Sequence, residues 1–204
     1  MCKKPWVRLG FFHVFKPYKI SELRIIFDHL PKPNMKKLVL FTALLVLTGS
    51  AMAQTEKPMH EIHAQMIYNF IKYIQWPNEA EGGDFIVGVM GDDDMFTTLK
   101  GWYDGKPKGA KKYVIKKLNG PEEAATCSVV YLGKNRSKEL ENIKTAIAGK
   151  SVLTVSDGYN LGQKGSCINF KVIEGKLKFE LNQAAVAASS LKVSSQLSGM
   201  AILI

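Results

Sequence analysis

Few side chains in this sequence are placed to do chemistry. Beyond residue 53 there are two histidines, His60 and His63, three apart with Glu61 between them at the start of a helical segment. Such a pair could share a metal, but HExxH spacing is absent and no third ligand is evident, so no metal site is expected. The run "GDDD", Gly91 to Asp94, follows an apolar strand and precedes a short helix, the position where ligands bind in open parallel sheets. Three carboxylates at a helix start repel phosphate, and neither GxGxxG nor GxxxxGK[ST] occurs, which excludes a nucleotide fingerprint. Helix capping is the simpler use of these acids, with Asp92 and Asp93 kept as candidate ligand contacts. Ser156 and Asp157 end another strand in "TVSDG". There is no GxSxG elbow and no histidine downstream of them, so a Ser-His-Asp triad is ruled out. Turn formation explains the pair, and polar contact to a ligand is the alternative. The carboxylates of Asp92, Asp157 and Glu180 would be the best residues of an enzyme, which is the weakest reading of the chain. No catalytic residue and no cofactor is assigned.

Aromatic side chains are concentrated in "MIYNFIKYIQWP", Met66 to Pro77. From Glu61 to Gln75 apolar residues recur at Ile62, Met66, Ile67, Phe70, Ile71 and Ile74, the spacing of one helical face. Phe70 therefore belongs to the core. Tyr68, Asn69 and Tyr73 fall away from the centre of that face, and Trp76 lies where Pro77 ends the helix. These four are candidate contacts for a partner or a ligand, their polar tips free to find water or a hydrogen bond.

The elements that must position these groups read as follows. "MKKLVLFTALLVLTGSAMAQ" from Met35 has a basic start, a short apolar middle and an A-x-A site, the layout of a signal peptide cleaved after Ala53. Residues 1 to 34 are expected to be an upstream extension and 54 to 204 one α/β domain. The full chain has 28 Lys and Arg against 18 Asp and Glu, a net charge of +10. The first 53 residues hold nine of the bases and two of the acids, so the remainder carries 19 against 16, or +3. The basicity thus belongs mostly to the leader, and no nucleic-acid partner is expected. "KPKGAKKYVIKKL", Lys106 to Leu118, reads as an edge strand guarded by charge.

Alternating strand and helix signals run as far as "SVLTVSDG": a strand in "DFIVGVMG", a helix in "MFTTLKGWY" capped by Asp94 or a neighbour, and a strand in "KKYVIKKL". A strand in "CSVVYL" and a helix in "SKELENIKTAIAGK" capped by Ser137 continue the series. The alternation predicts a three-layer, Rossmann-like fold with a mainly parallel sheet and helices on both faces. "CINFKVIEGKLKFELN" adds an antiparallel hairpin turning at Glu174-Gly175, and two short helices follow, the last capped by Ser194 or Ser195. Cys127 and Cys167 each stand at a strand start, and a bridge requires their Cα atoms within about 7 Å.

"YNFIKYIQWP", "GDD" (Gly91 to Asp93), "VLTVSD" (Val152 to Asp157), "INF" (Ile168 to Phe170), "FELN" (Phe179 to Asn182) and "LKVSSQL" (Leu191 to Leu197) follow one another as in the YfiR family. The resemblance spans essentially all of residues 54 to 204. It implies an exported, periplasmic, non-enzymatic regulator that forms a homodimer. Such a protein would repress a membrane-bound diguanylate cyclase or act beside a sensor histidine kinase, with an outer-membrane lipoprotein relieving the block. The motifs add Asn182 to the candidate contacts. Relatives carry a first-strand cysteine paired with the one in "CSVVYL"; the matching position here is Gly88, so Cys127 lacks that partner and Cys167 lacks a close second cysteine. The alternative expectation is a periplasmic module that senses a small ligand.

Overall fold

The computed structural model describes residues 57–77, 80 and 82–204. They belong to one compact unit, Glu56–Ile204. The expected leader and its cleavage site lie outside the described residues.

Side-chain alternation builds a sheet with two buried faces. In β2 (Gly83–Met90), Phe85, Val87 and Val89 point into one apolar cluster while Ile86 and Met90 meet the other. β5 (Val129–Leu132) divides its residues in the same way, Val129 and Tyr131 against Val130 and Leu132. A period of two with apolar residues in both phases requires cover on both sides, as parallel sheets have. On the first face lie α1 (Met59–Tyr73), through Ile67, Phe70 and Ile71, and α2 (Asp93–Tyr103), through Met95 and Leu99. The short helices α4 (Gln183–Ala188) and α5 (Ser195–Met200) join them through Val186 and Leu197. The second face is covered by α3 (Leu140–Ala146), through Leu140 and Ile143, and by the 3-10 turn Pro121–Thr126, through Ala124.

The eight-stranded sheet runs β10 (Ile202–Leu203), β8 (Lys176–Leu181), β7 (Ile168–Ile173), β6 (Leu153–Ser156), β5, β2, β4 (Lys111–Lys117) and β3 (Pro107–Lys108). Its centre is parallel: β4 (Lys111–Lys117) pairs with β2, β2 with β5, β5 with β6 (Leu153–Ser156), and β6 with β7 (Ile168–Ile173). β8 (Lys176–Leu181) returns antiparallel to β7 through a hairpin in which Glu174 and Gly175 both have positive φ. β10 (Ile202–Leu203) adds a short parallel edge to β8. The three-layer, mainly parallel architecture expected from the sequence is therefore present.

Local details differ from the sequence reading. α1 ends at Tyr73, not Gln75, because Ile74 and Gln75 extend as β1 and pair antiparallel with Val193 and Lys192 of β9 (Lys192–Val193). Ser137 does not cap α3: its hydroxyl donates to the Lys134 carbonyl at 2.6 Å within a 3-10 turn, Lys134–Glu139, that precedes the helix. β4 is not the edge strand, since β3 (Pro107–Lys108) pairs outside it. Proline suits that outer place because it has no amide hydrogen to donate. Trp76 is not free: its ring is 9% exposed, packs edge-on against Phe85 at 4.9 Å, and its indole N–H donates to the Ser128 carbonyl.

Cys127 and Cys167 are both buried free thiols. Cys127 lies two residues before β5 in the second-face cluster, and Cys167 one residue before β7 in the first-face cluster, so the sheet separates them. Gly88 faces Cys127 directly: a Cβ built there would lie 2.8 Å from the Cys127 Sγ and 2.6 Å from Leu118 Cδ1.

Two outcomes follow from this packing. Trp76→Ala empties a core site and removes the partner of Phe85, so urea denaturation should show a loss of about 3 kcal/mol or more in a protein that still folds. Gly88→Cys should form a bridge with Cys127 once Leu118 turns aside, seen as faster migration on a non-reducing gel and a stability gain of up to about 4 kcal/mol that reductant removes.

Candidate functional site

Neighbouring strands β2 and β5 send the chain in opposite directions. After β2 it crosses through α2 on the first face to β4 on one side; after β5 it crosses through α3 on the second face to β6 on the other. Their carboxyl ends cannot both be roofed by their own connections, and a crevice opens between them, the usual ligand position in open α/β sheets. Glycine makes the crevice floor. Gly91 has φ +81°, and a Cβ on Gly133 would come within 2.9 Å of the Gly91 carbonyl oxygen, so the two turns touch backbone to backbone.

The result is a cleft of about 620 Å³. Asp92, Asp93 and Asp94 line it from the start of α2, Lys134 and Asn135 from the end of β5, Asp157 from the end of β6, and His60 and His63 from the first turns of α1. Asp92 caps α2 by accepting from the Met95 amide at 2.9 Å with Oδ1. Asp93 is paired with Lys117 at 2.6 Å. Asp157, one-third exposed, has Oδ2 at 3.9 Å from His63 Nδ1.

His63 is 3% exposed, and its ring lies flat on Phe170 at 4.0 Å with an interplanar angle of 1°. Its Nε2 has no hydrogen-bond partner. Burial holds its pKa below the ordinary value, outweighing the opposing pull of Asp157 and Asp92, while His60 adds to the lowering. His63 is thus a buried imidazole that resists protonation although the Asp157 carboxylate stands 3.9 Å away. On β5 the buried Tyr131 hydroxyl is likewise unpartnered, its approach to Asp92 falling short of a hydrogen bond. Burial first, then Asp157 and Asp92, push its pKa above the ordinary range. Among the described residues no group of three or more His, Cys, Asp or Glu side chains is set to hold a metal ion.

The structure brings Asp92, Asp93 and Asp157 together and leaves the other sequence candidates elsewhere. Ser156 is fully buried on the second face, its hydroxyl 2.8 Å from Asn169 Oδ1 and 2.9 Å from Ser166 Oγ. In the same network Asn169 donates to Glu180, and Lys171 closes on Glu180 at 2.6 Å. Asn182 caps α4 through Ala185 and donates to the Gly162 carbonyl. Tyr68 is exposed and stacks on Tyr103 at 4.9 Å, Asn69 is exposed beside it, and Tyr73 is half-buried against the core. Sequence reasoning missed Lys134, Asn135 and Tyr131, and treated His63 as incidental. The available signal was the glycine that ends "VVYLG" just as Gly91 ends "IVGVMG"; both mark strand ends, but only the strand order places them side by side.

A family model described as YfiR/HmsC-like matches residues 60–202. Among solved structures, the chain is similar to a conserved domain protein from Vibrio cholerae O1 biovar El Tor, with a TM-score of 0.50 and 10% sequence identity. That match covers 71% of this chain and 60% of the other, and at such identity it bears on the α/β fold alone. No helix among the described residues is long and apolar enough to cross a membrane.

The His63 environment has a pH signature. The folded state resists the proton that the unfolded chain accepts near the ordinary value of 6.5, so this contribution is intact above that pH and is lost as pH falls below it. Thermal melting between pH 7.5 and 5 should therefore show a falling Tm. His63→Phe, which keeps the stack on Phe170, should flatten that slope. Unchanged slopes in both proteins would contradict this account.

Proposed function

This chain belongs to the YfiR/HmsC-like family, and from that membership we propose that it is a periplasmic, non-enzymatic regulator that restrains a membrane-bound signalling protein by binding it. The partner is a diguanylate cyclase or a sensor histidine kinase, the protein acts as a homodimer, and an outer-membrane lipoprotein relieves the restraint. The family match across residues 60–202 carries the reading. The internal use of the carboxylates supports it: Asp92 caps a helix and Glu180 is held by Asn169 and Lys171. Tyr68 and Asn69, adjacent and exposed on α1, are the partner contacts this reading favours, because their side chains lie outside the buried core.

A second reading, a small-ligand sensor, is favoured by the cleft at the β2/β5 crossover and by the unpartnered His63 Nε2 beside it. The two are compatible, since a ligand could set the strength of partner binding.

Deletion of the gene should raise cellular cyclic-di-GMP, and a tagged protein should co-purify a membrane cyclase or histidine kinase. Unchanged cyclic-di-GMP together with no co-purified signalling protein would sink the regulatory reading. Tyr68→Ala with Asn69→Ala should reduce co-purification without lowering the melting temperature by more than a degree or two.

A further inference from the structure

We propose that the cleft between β2 and β5 binds a compact organic cation, an ammonium or guanidinium group held between Asp92 and Asp157 beside the buried His63 ring. This goes beyond partner binding and does not depend on which membrane protein is restrained.

The charge balance of the cleft is the first ground. Four carboxylates line it, Asp92, Asp93, Asp94 and Asp157. Lys117 neutralises Asp93 at 2.6 Å, and Lys134 is the lone ammonium among the described lining residues. Asp94 has no ion pair or side-chain hydrogen bond among the described residues, Asp92 caps α2 through Oδ1 with the Tyr131 hydroxyl nearby, and Asp157 faces the His63 ring at 3.9 Å. A crevice with a surplus of one charge and low-dielectric walls focuses its field and concentrates the opposite ion.

The buried imidazole is the second and independent ground. His63 lines the cleft at 3% exposure, and its Nε2 is a buried polar atom without a partner. Such orphaned atoms are costly unless something satisfies them. A neutral imidazole donates from one nitrogen and accepts at the other. With the proton on Nδ1, toward the Asp157 carboxylate at 3.9 Å, Nε2 presents a lone pair. A donor-rich cation satisfies that acceptor and both carboxylates together, whereas an anion would meet carboxylates on several sides. The described side chains form no metal-holding group, which leaves a cation that brings its own N–H donors.

The cation can arrive as a free amine or on a basic side chain of another protein. Calorimetric titration of the purified protein with agmatine, and separately with acetyl-Gly-Arg-Gly-amide, distinguishes these sources. Binding of agmatine alone or more tightly assigns a free amine; tighter binding of the peptide assigns a side chain. In either case Asp157→Asn should weaken binding at least tenfold and 0.5 M salt should weaken it further, while Glu141→Gln, on the exposed side of α3, should leave it unchanged. Asp92→Asn, which retains a capping oxygen, provides a second variant should Asp157→Asn lower the melting temperature. The proposal fails if neither probe binds, or if binding survives both substitutions in folded protein.

Discussion

A sheet apolar on both faces must send its crossovers to both sides, and this requirement governs the molecule. In β2 and β5 successive side chains belong to different clusters, so neither strand can be left with a bare face. The connections from these neighbours therefore part, α2 to one layer and α3 to the other. Everything at the carboxyl edge follows from that parting. The chain must turn sharply at Gly91 and Gly133, the turns must touch, and the acids that begin α2 are brought against those ending β6. The cleft is what remains where the two layers separate.

The far half of the sheet solves its second face differently. Here a loop, residues 157–166, lies over β6, β7 and β8, and the side chains beneath it are polar: Ser156, Ser166, Asn169 and Glu180. A buried carboxylate is tolerable only with its partners in place. Asn169 serves both sides, accepting from Ser156 and from the Gly158 amide while donating to Glu180. Such a network fixes the register of loop on sheet more narrowly than apolar contact would, because each member has few satisfactory geometries. It also explains why Ser156 and Asp157, adjacent in sequence, have unrelated roles: alternation turns the serine under the loop and the aspartate sits past the strand end, in the cleft.

Much of this was legible in the residues. The three-and-four spacing of Met66, Ile67, Phe70 and Ile74 identified the core face of α1, and strand-helix alternation gave the layers. Strand order was not legible, since nothing in the letters of "VVYLG" says which strand lies beside it. For that reason Lys134 and Asn135 went unnoticed and His63 looked incidental. Trp76 was misjudged because helical phase describes a side chain only while the helix lasts. Once the chain extends at Ile74, two-residue alternation takes over and folds the indole back onto Phe85. Asn182 and Ser156 were recognised as significant for a different reason: their motifs record structural capping and bridging, and a short motif does not distinguish a residue kept for shape from one kept for contact.

The placement of the two thiols bears on the chemistry of the surroundings. Cys127 and Cys167 are walled off on opposite sides of one sheet, and burial holds the Cys127 thiol in its protonated, unreactive form. Neither can reach the other without dismantling the sheet. The described domain is thus held by its packing and its buried polar network, with no bridge between these two thiols.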